Sequence, residues 1–260
     1  DETPLTSNSA AATAGLLFPL LSTTQLLEVD NFGWVFFLWD KVKESYTGTE
    51  QAVRLDKIAH ATIIWQEPFL RNMIGRRLAH FSGERITQFE GLCDPALDAP
   101  AKLGDMISLC MKSPRELIRI LDTVVREHDE HFANQASPPL IVKESVDRAL
   151  DKYTVETLPQ LYARLPLQQI VRMNSMVFTN KDVQNKFRIN GQSARNRIRV
   201  WEDAGIVALT GTRPAEGGQA GKPANEYSIV DQRIHRLLQR KLSLGPKFDL
   251  ADDDILEDQV

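Results

Sequence analysis

The sequence predicts a mainly α-helical protein with a few short strands, and three patterns carry that prediction. Apolar side chains recur at helical spacing over much of the chain. β-Branched and aromatic residues are concentrated in short runs, as in strands. Two short helices followed by a hairpin are indicated in the last third. The chain has 260 residues, 42% hydrophobic and 25% charged, which is an ordinary globular composition and enough for two modest domains.

The first 65 residues predict a linker followed by a short piece of α/β structure. Residues 1–15 are small and polar, and we interpret them as a flexible linker. Residues 16–65 then carry a helix and two strand signals, Phe32–Trp39 and Ala61–Trp65. The longest apolar run, Trp34–Trp39, is too short to span a bilayer, so no membrane partner is expected.

Residues 66–165 predict a group of helices. Ser113-Pro-Arg-Glu116 is a capping box, in which the serine hydroxyl accepts from the amide three residues on and Glu116 reaches back. Another helix is predicted over Val142–Arg164, broken at Pro159.

The two cysteines, Cys93 and Cys110, are typical of thiols in a reducing compartment, and we expect a cytoplasmic protein. A single bridge between them is the alternative.

Charge is distributed unevenly along the chain. Residues 166–247 hold 14 basic and 6 acidic side chains, a net charge of +8 within a protein whose total is −4. A polyanion responds to this local charge, although a solvated basic face is the alternative. Residues 248–260 are predicted to form a disordered acidic tail.

Residues 179–205 have the pattern of a helix-turn-helix. Thr179 is the predicted N-cap of a helix over Lys181–Phe187, and Asn190-Gly191 forms the turn. A second helix is predicted over Gln192–Ala204, stopped by Gly205, and is free to enter a major groove. The apolar side predicted to pack on the first helix carries Ala194, Ile198 and Trp201.

A hairpin follows these helices. Strands are predicted over Ile206–Thr210 and Ala224–Ile229, with the glycine-rich loop Gly211–Lys222 between them. Helix, helix and hairpin together predict a winged helix over residues 166–247. The stretches "EDAGIV" and "GKPANEYSI" resemble those that flank the wing in bacterial winged-helix domains.

The side chains outside the predicted core suit double-stranded DNA. Two arginines one turn apart can reach phosphates or guanine edges, amides and hydroxyls suit base edges, and basic side chains on the wing suit the backbone. The predicted DNA contacts are Gln192, Ser193, Arg195, Asn196, Arg199, Arg213 and Lys222. Docking of another protein is the alternative use of such a fold.

The front of the chain resembles a known ATPase family. A buried run ends in Asp40, and "PFLRNMIGRRLAHFS" and later "SPRELIRILDTVVREHDE" follow it. Together these resemble the second half of a P-loop ATPase of the AAA+/STAND kind, as in origin-recognition-like and bacterial defence ATPases. The resemblance implies that residues 16–65 end the ATPase core, that residues 66–165 form its helical lid, and that a winged helix follows.

The same resemblance implies nucleotide-sensing residues. Asp40 matches the polar sensor at a strand end, Arg115 matches the arginine of the lid's "PR" motif, and Arg54 matches a trans-acting arginine. The nucleotide that the resemblance implies is ATP with Mg²⁺, provided that the upstream P-loop half is present, and otherwise no cofactor is expected. As alternatives, Asp40 caps the next helix and Arg115 pairs with surface acids.

The chain departs from this family in its catalytic motifs. It contains no GxxxxGK[ST] loop, and "FLWDK" offers one acid rather than a pair. We therefore expect no catalytic residue and no ATP hydrolysis by this chain alone; the phosphate loop would belong to an upstream segment or a partner chain. No metal site is predicted, because His128 and His131 lack a third ligand in the sequence.

Three functions remain open at this point. The first is a module of an AAA+/STAND ATPase that couples the ATP state to DNA binding. The second is a non-enzymatic DNA-binding regulator whose helical part forms a homo-oligomer. The third is a winged helix that docks another protein.

Overall fold

The computed structural model describes residues 7–23, 29–31, 33–38, 42–43, 45–46, 58–135, 137, 139–214, 223–246 and 248. The chain divides into two compact units, Asp1–Ile64 and Trp65–Val260. Helices dominate and the strands are short, which confirms the predicted fold class at this level.

The first unit is built around helix α1, Ser7–Ser22, which includes residues 7–15 of the predicted linker. Tyr46 is buried against this helix and its hydroxyl donates to the carbonyl of Ala14 at 2.8 Å.

The two strands predicted for the first 65 residues are wrong. Residues 33–38 and 61–65 adopt no regular secondary structure. Phe37 is 85% exposed and Ile63 is 69% exposed. A β-branched or aromatic run forms a strand only where a neighbouring strand pairs with its backbone and a packed layer covers its face. The described part of residues 16–65 therefore contains no sheet.

The second unit begins with a bundle of helices, hereafter the helical bundle. Its elements are α2 Glu67–Ser82, a 3₁₀ turn Phe89–Leu92, α3 Ala99–Leu109, α4 Pro114–His131 and α5 Lys143–Leu161. Apolar side chains from all of them form one core.

The break predicted in the last of these helices is wrong, because α5 continues through Pro159 to Leu161. Within two residues of a helix end, a proline removes one backbone hydrogen bond and leaves little helix beyond it to disrupt.

The rest of the second unit is hereafter the C-terminal module, residues 164–248. Its elements are α6 Arg164–Met173, β1 Val177–Thr179, α7 Asn180–Phe187, α8 Gly191–Asp203, β2 Val207–Arg213, β3 Ala224–Ile229 and α9 Gln232–Arg240. The strands form an antiparallel sheet in the order β1-β3-β2. The predicted helix pair and hairpin are confirmed as elements, with bounds that differ by up to three residues.

A fully buried tryptophan centres the core of the C-terminal module. Trp201 lies edge-on to Phe178 at 5.6 Å between ring centroids, and its indole Nε1 donates to Gln169 Oε1 at 3.0 Å. Ala194 and Ile198 are buried on the same side of α8, as predicted. Because this side of α8 is committed to the core, the opposite side faces outward.

Ion pairs join the C-terminal module to the helical bundle. Asp151 of α5 accepts from Arg236 Nε and from Arg240 Nη2, both at 2.8 Å. Behind them, Asp231 is fully buried and binds Arg233, with 2.6 Å between Arg233 Nη2 and Asp231 Oδ2. The hydroxyl of Tyr162 also donates to Asp231 at 2.7 Å. A buried carboxylate and guanidinium are tolerated because each forms an ion pair and further hydrogen bonds with its neighbours.

Candidate nucleic-acid interface

The amino end of α7 is fixed by a complete capping box. Thr179 Oγ1 accepts from the amide of Asp182 at 3.4 Å, and Asp182 Oδ2 accepts from the amide of Thr179 at 2.7 Å. Thr179 is therefore the N-cap, as predicted. Two backbone amides at this end are thus satisfied within the protein.

The amino end of α8 is fixed by Asn190. Its Oδ1 accepts from the amides of Gln192 and Ser193, each at 2.9 Å. Asn190 thus serves as an N-cap and Gly191 as the first helical residue. Asn180 Nδ2 donates to the carbonyl of Gly191 at 3.4 Å, so the first turn of α7 lies beside the first turn of α8.

Five of the predicted DNA contacts share one exposed surface, hereafter the outer face of α8. Its residues are Gln192, Ser193, Arg195, Asn196 and Arg199. Three of their side chains form a hydrogen-bonded row. Arg195 Nη2 donates to Gln192 Oε1 at 2.9 Å, and Gln192 Nε2 donates to Asn196 Oδ1 at 3.0 Å. Because these partners are neutral amides, the row orients Arg195 and leaves its positive charge in place.

Arg199 extends the outer face by one turn. Its Nε lies 3.9 Å from Asp203 Oδ2, with side-chain exposures of 82% and 73%. A pair this long and this exposed is worth less than about 1 kcal/mol and is easily exchanged for another anion. Arg199 can therefore turn to a phosphate at little cost.

Arg213 lies on the hairpin, at the end of β2, and is paired with two acids. Its Nε donates to Glu226 Oε2 at 2.9 Å, and its Nη1 lies 3.4 Å from Asp182 Oδ2. Two carboxylates therefore compensate its charge, and it ties the loop end of strands β2 and β3 to the first turn of α7. Sequence spacing gave no sign of this, since the two acids lie 31 and 13 positions away.

Lys222, the other predicted wing contact, lies outside the described residues, as does the rest of 215–222. The prediction for Lys222 stays a prediction.

The structure adds basic residues that the sequence reasoning did not single out. Lys181 is exposed in the first turn of α7, next to Asn180. Lys186 and Arg188 are exposed at the other end of that helix. In the sequence, the only sign of them was the excess of basic side chains, 14 of them, in residues 166–247.

A further arginine of α8 is turned inward. The guanidinium of Arg197 lies over the ring of Phe187, 4.5 Å from its centroid. This is a cation–π contact, which stabilises the packing of α8 on α7.

Of the predicted nucleotide-sensing residues, Asp40 and Arg54 lie outside the described residues. Arg115 is exposed in the first turn of α4. Of the capping box predicted for Ser113 and Glu116, only the serine contact forms. Ser113 Oγ accepts from the amide of Glu116 at 3.3 Å, whereas Glu116 Oε2 accepts from the hydroxyl of Tyr153 at 2.7 Å.

Of the two histidines considered as metal ligands, His128 has a structural role. His128 is buried, with Nε2 2.8 Å from the carbonyl oxygen of Pro139 and Nδ1 3.3 Å from Ser145 Oγ. Over the described part of the chain, no three His, Cys, Asp or Glu side chains are grouped as metal ligands.

The thiols of Cys93 and Cys110 are free and buried, so the alternative of a bridge between them does not occur. Burial, and secondarily the charge of Glu90, raises the pKa of Cys93 to about 11. Burial also raises the pKa of Cys110. Both groups are therefore protonated near neutral pH and are poor nucleophiles.

Within the described residues, no helix has the length and apolar character that crossing a bilayer requires. Comparison with protein-family models, with curated proteins and with solved structures gives no match. The geometry of the outer face of α8 is therefore the basis for assigning a function.

Proposed function

We propose that the C-terminal module is a winged helix that binds double-stranded DNA, with α8 as its recognition helix. The observation that carries this proposal is the division of α8 into two sides. One side is buried through Ala194, Ile198 and Trp201, and the other exposes only polar and basic side chains over its first two and a half turns.

The outer face of α8 has the dimensions of a base-reading surface. Gln192 and Arg199 are seven positions apart, which is about 10 Å along a helix and about three base pairs along DNA. A major groove admits one α-helix, and amide and guanidinium groups match the donors and acceptors on base edges. The row from Arg195 through Gln192 to Asn196 holds these groups in order before any ligand arrives.

The surroundings of α8 supply contacts to the backbone. The exposed ammonium of Lys181 lies on the turn that adjoins the start of α8. In this proposal the β2–β3 hairpin is the wing, and Arg213 holds it to Asp182 of α7. Arg213 then positions the wing, and phosphate contact falls to Lys181, Lys222 and the arginines of α8.

In the same proposal, the helical bundle is the lid of an AAA+/STAND ATPase and Arg115 senses ATP with Mg²⁺. Two observations favour this. Arg115 lies at a helix amino end, where amides and dipole favour an anion. From its neighbour Glu116, contacts run through Tyr153 of α5, and Asp151 of α5 holds Arg236 of the C-terminal module. The phosphate loop would come from a segment or partner chain outside these 260 residues.

The test of DNA binding is fluorescence anisotropy of a labelled 20-base-pair duplex at low salt. The wild type is compared with Arg195→Ala plus Arg199→Ala. Each arginine on a base edge or phosphate contributes about 1–3 kcal/mol, so the double variant should bind on the order of 100-fold more weakly.

The matched control is Arg76→Ala plus Arg126→Ala, which removes two exposed cations from the helical bundle. It loses the same net charge and should bind nearly as tightly as the wild type. Equal losses in the two double variants, or no binding by the wild type at low salt, would contradict the proposal. The second result would favour the protein-docking alternative.

A further inference from the structure

A strongly acidic stretch follows the C-terminal module directly. Residues 249–260, hereafter the acidic segment, contain six carboxylates and no basic side chain. The residue before the segment, Phe248, is partly buried against the core of the module, and Gln168 Nε2 donates to its carbonyl at 3.4 Å. Phe248 is therefore held against α6.

Phe248 packs against the same apolar core as Trp201 of α8. Gln169, the neighbour of Gln168, accepts from the indole of Trp201 at 3.0 Å. Trp201 is six positions from Arg195 on the same helix, which is about 9 Å along its axis. Phe248, the residue before the acidic segment, and Trp201 of α8 thus contact two neighbouring glutamines of α6.

The length of the segment is sufficient to reach that face. Twelve residues span at most about 40 Å when extended, and a flexible chain of that length has a mean end-to-end distance of about 20 Å. Both values exceed the 9 Å between Trp201 and Arg195 on α8, and they leave room for a path around the helix.

We propose that the acidic segment binds the outer face of α8, its carboxylates pairing with Arg195 and Arg199, and competes with DNA for that face. Carboxylate and phosphate use the same bidentate contact with a guanidinium. The neutral partner of Arg195 and the weak partner of Arg199 leave both available for it. The competition with DNA rests on the proposed function, whereas the contact itself does not.

The expected effect is moderate. A segment tethered this closely has an effective concentration of about 1 mM. If its carboxylates bind with a dissociation constant of about 0.1 mM, apparent DNA affinity falls about tenfold. The effect should fade as salt is added, since the Debye length is only about 8 Å at physiological ionic strength.

The experiment uses the full chain with the segment neutralised. The substitutions are Asp249→Asn, Asp252→Asn, Asp253→Asn, Asp254→Asn, Glu257→Gln and Asp258→Asn. The matched control amidates six exposed acids of the helical bundle, Glu84, Glu90, Asp129, Glu130, Glu144 and Glu156. DNA affinity at low salt should rise about tenfold in the segment variant and much less in the control.

A second readout does not involve DNA. A fluorescein-labelled peptide with the sequence of residues 249–260 should bind the segment-neutral variant, and adding Arg195→Ala and Arg199→Ala should abolish that binding. If the peptide does not bind, or binds regardless of the two arginines, the proposed contact is wrong. Equal gains in DNA affinity by the segment variant and its control would also overturn it, because net charge alone would then explain them. Arginine-dependent peptide binding without DNA binding by any variant would support the contact and reject the DNA function.

Discussion

Trp201 and Arg195 lie on opposite sides of the same helix, one in the core and one at the surface. Trp201 is fully buried and holds α8 against the core, while Arg195 is exposed and held in position by a neutral neighbour. The proposed recognition surface depends on both, because the packing of Trp201 sets the orientation from which Arg195 would meet a groove. Residues around the core should therefore affect stability first, and residues of the outer face should affect binding alone.

The buried pair of Asp231 and Arg233 gives a sharp test of core stability. Arg233→Met keeps most of the side-chain volume and leaves Asp231 buried without its countercharge. We expect the free energy of unfolding, measured by urea denaturation, to fall by about 3–5 kcal/mol. Arg240→Ala removes a half-exposed arginine whose partner Asp151 keeps Arg236, and should cost less than about 1 kcal/mol. Similar small losses in both variants would contradict the account of the buried pair.

The thiols give a prediction for pH. The raised pKa of Cys93, about 11, means that the folded state prefers the protonated thiol. The ordinary thiol pKa is about 8.5, so this contribution to stability is complete below about pH 8.5 and is lost as the pH rises towards 11. At pH 8, a disulfide reagent should react with the native thiols on the order of 100-fold more slowly than with the urea-unfolded chain. Rapid reaction of either native thiol would show that its site is open to solvent.

Local signals explain why the elements of the C-terminal module were predictable. Strand β3 has the predicted bounds, and α8 is displaced by a single residue at each end. Thr179 and Asn190 set the amino ends of α7 and α8 through hydrogen bonds to residues at most three positions away. Gly205 follows the carboxyl end of α8 in a backbone conformation that glycine favours. Such contacts are visible in a sequence.

Predictions that required distant partners succeeded less often. The run Phe32–Trp39 has strand composition, yet its described residues pair with no strand. The predicted phosphate contact of Arg213 stays a prediction, but the sequence did not indicate the acids that the hairpin and α7 bring beside it. In both cases the deciding neighbours are far along the chain, and a composition pattern holds no information about them.

The amino-terminal cap of α8 gives a test at the scale of the element. Asn190→Ala removes the acceptor for two amides at the start of the proposed recognition helix. We expect a loss of about 1 kcal/mol in thermal or urea unfolding, and weaker DNA binding from a frayed first turn. Asn185→Ala is the matched control, an exposed position within α7 where the same change should have little effect on either quantity. The capping role would be refuted by indistinguishable behaviour of the two variants.

At the scale of the molecule, the structure corrects the meaning of the charge count. The +8 of residues 166–247 indicated a polyanion partner, but Arg213, Arg233, Arg236 and Arg240 all pair with carboxylates. Two of these arginines hold the C-terminal module to Asp151 of the helical bundle. Part of the basic charge thus serves intramolecular attachment, and the exposed cations of α7 and of the outer face of α8 belong to the remainder.

This attachment predicts cooperative unfolding of the second unit. Urea transitions followed by far-UV circular dichroism and by tryptophan fluorescence should coincide in the wild type. Asp151→Asn should lower the free energy of unfolding by about 1–3 kcal/mol, since it removes the charge shared by Arg236 and Arg240. Asp122→Asn, at an exposed pair with Arg126, should change it by less than about 0.5 kcal/mol. Wild-type stability in Asp151→Asn would contradict this role of the ion pairs.

The central claim is that the outer face of α8 binds DNA, and the most direct measurement is the salt dependence of that binding. The dissociation constant for a 20-base-pair duplex is measured over a series of salt concentrations for the wild type and for Arg195→Ala plus Arg199→Ala. Each neutralised phosphate contributes about 0.9 to the slope of log affinity against log salt, so the double variant should lose about 1 to 2 from that slope. An unchanged slope, with affinity equal to the wild type, would contradict the claim and leave α8 without a role in DNA binding.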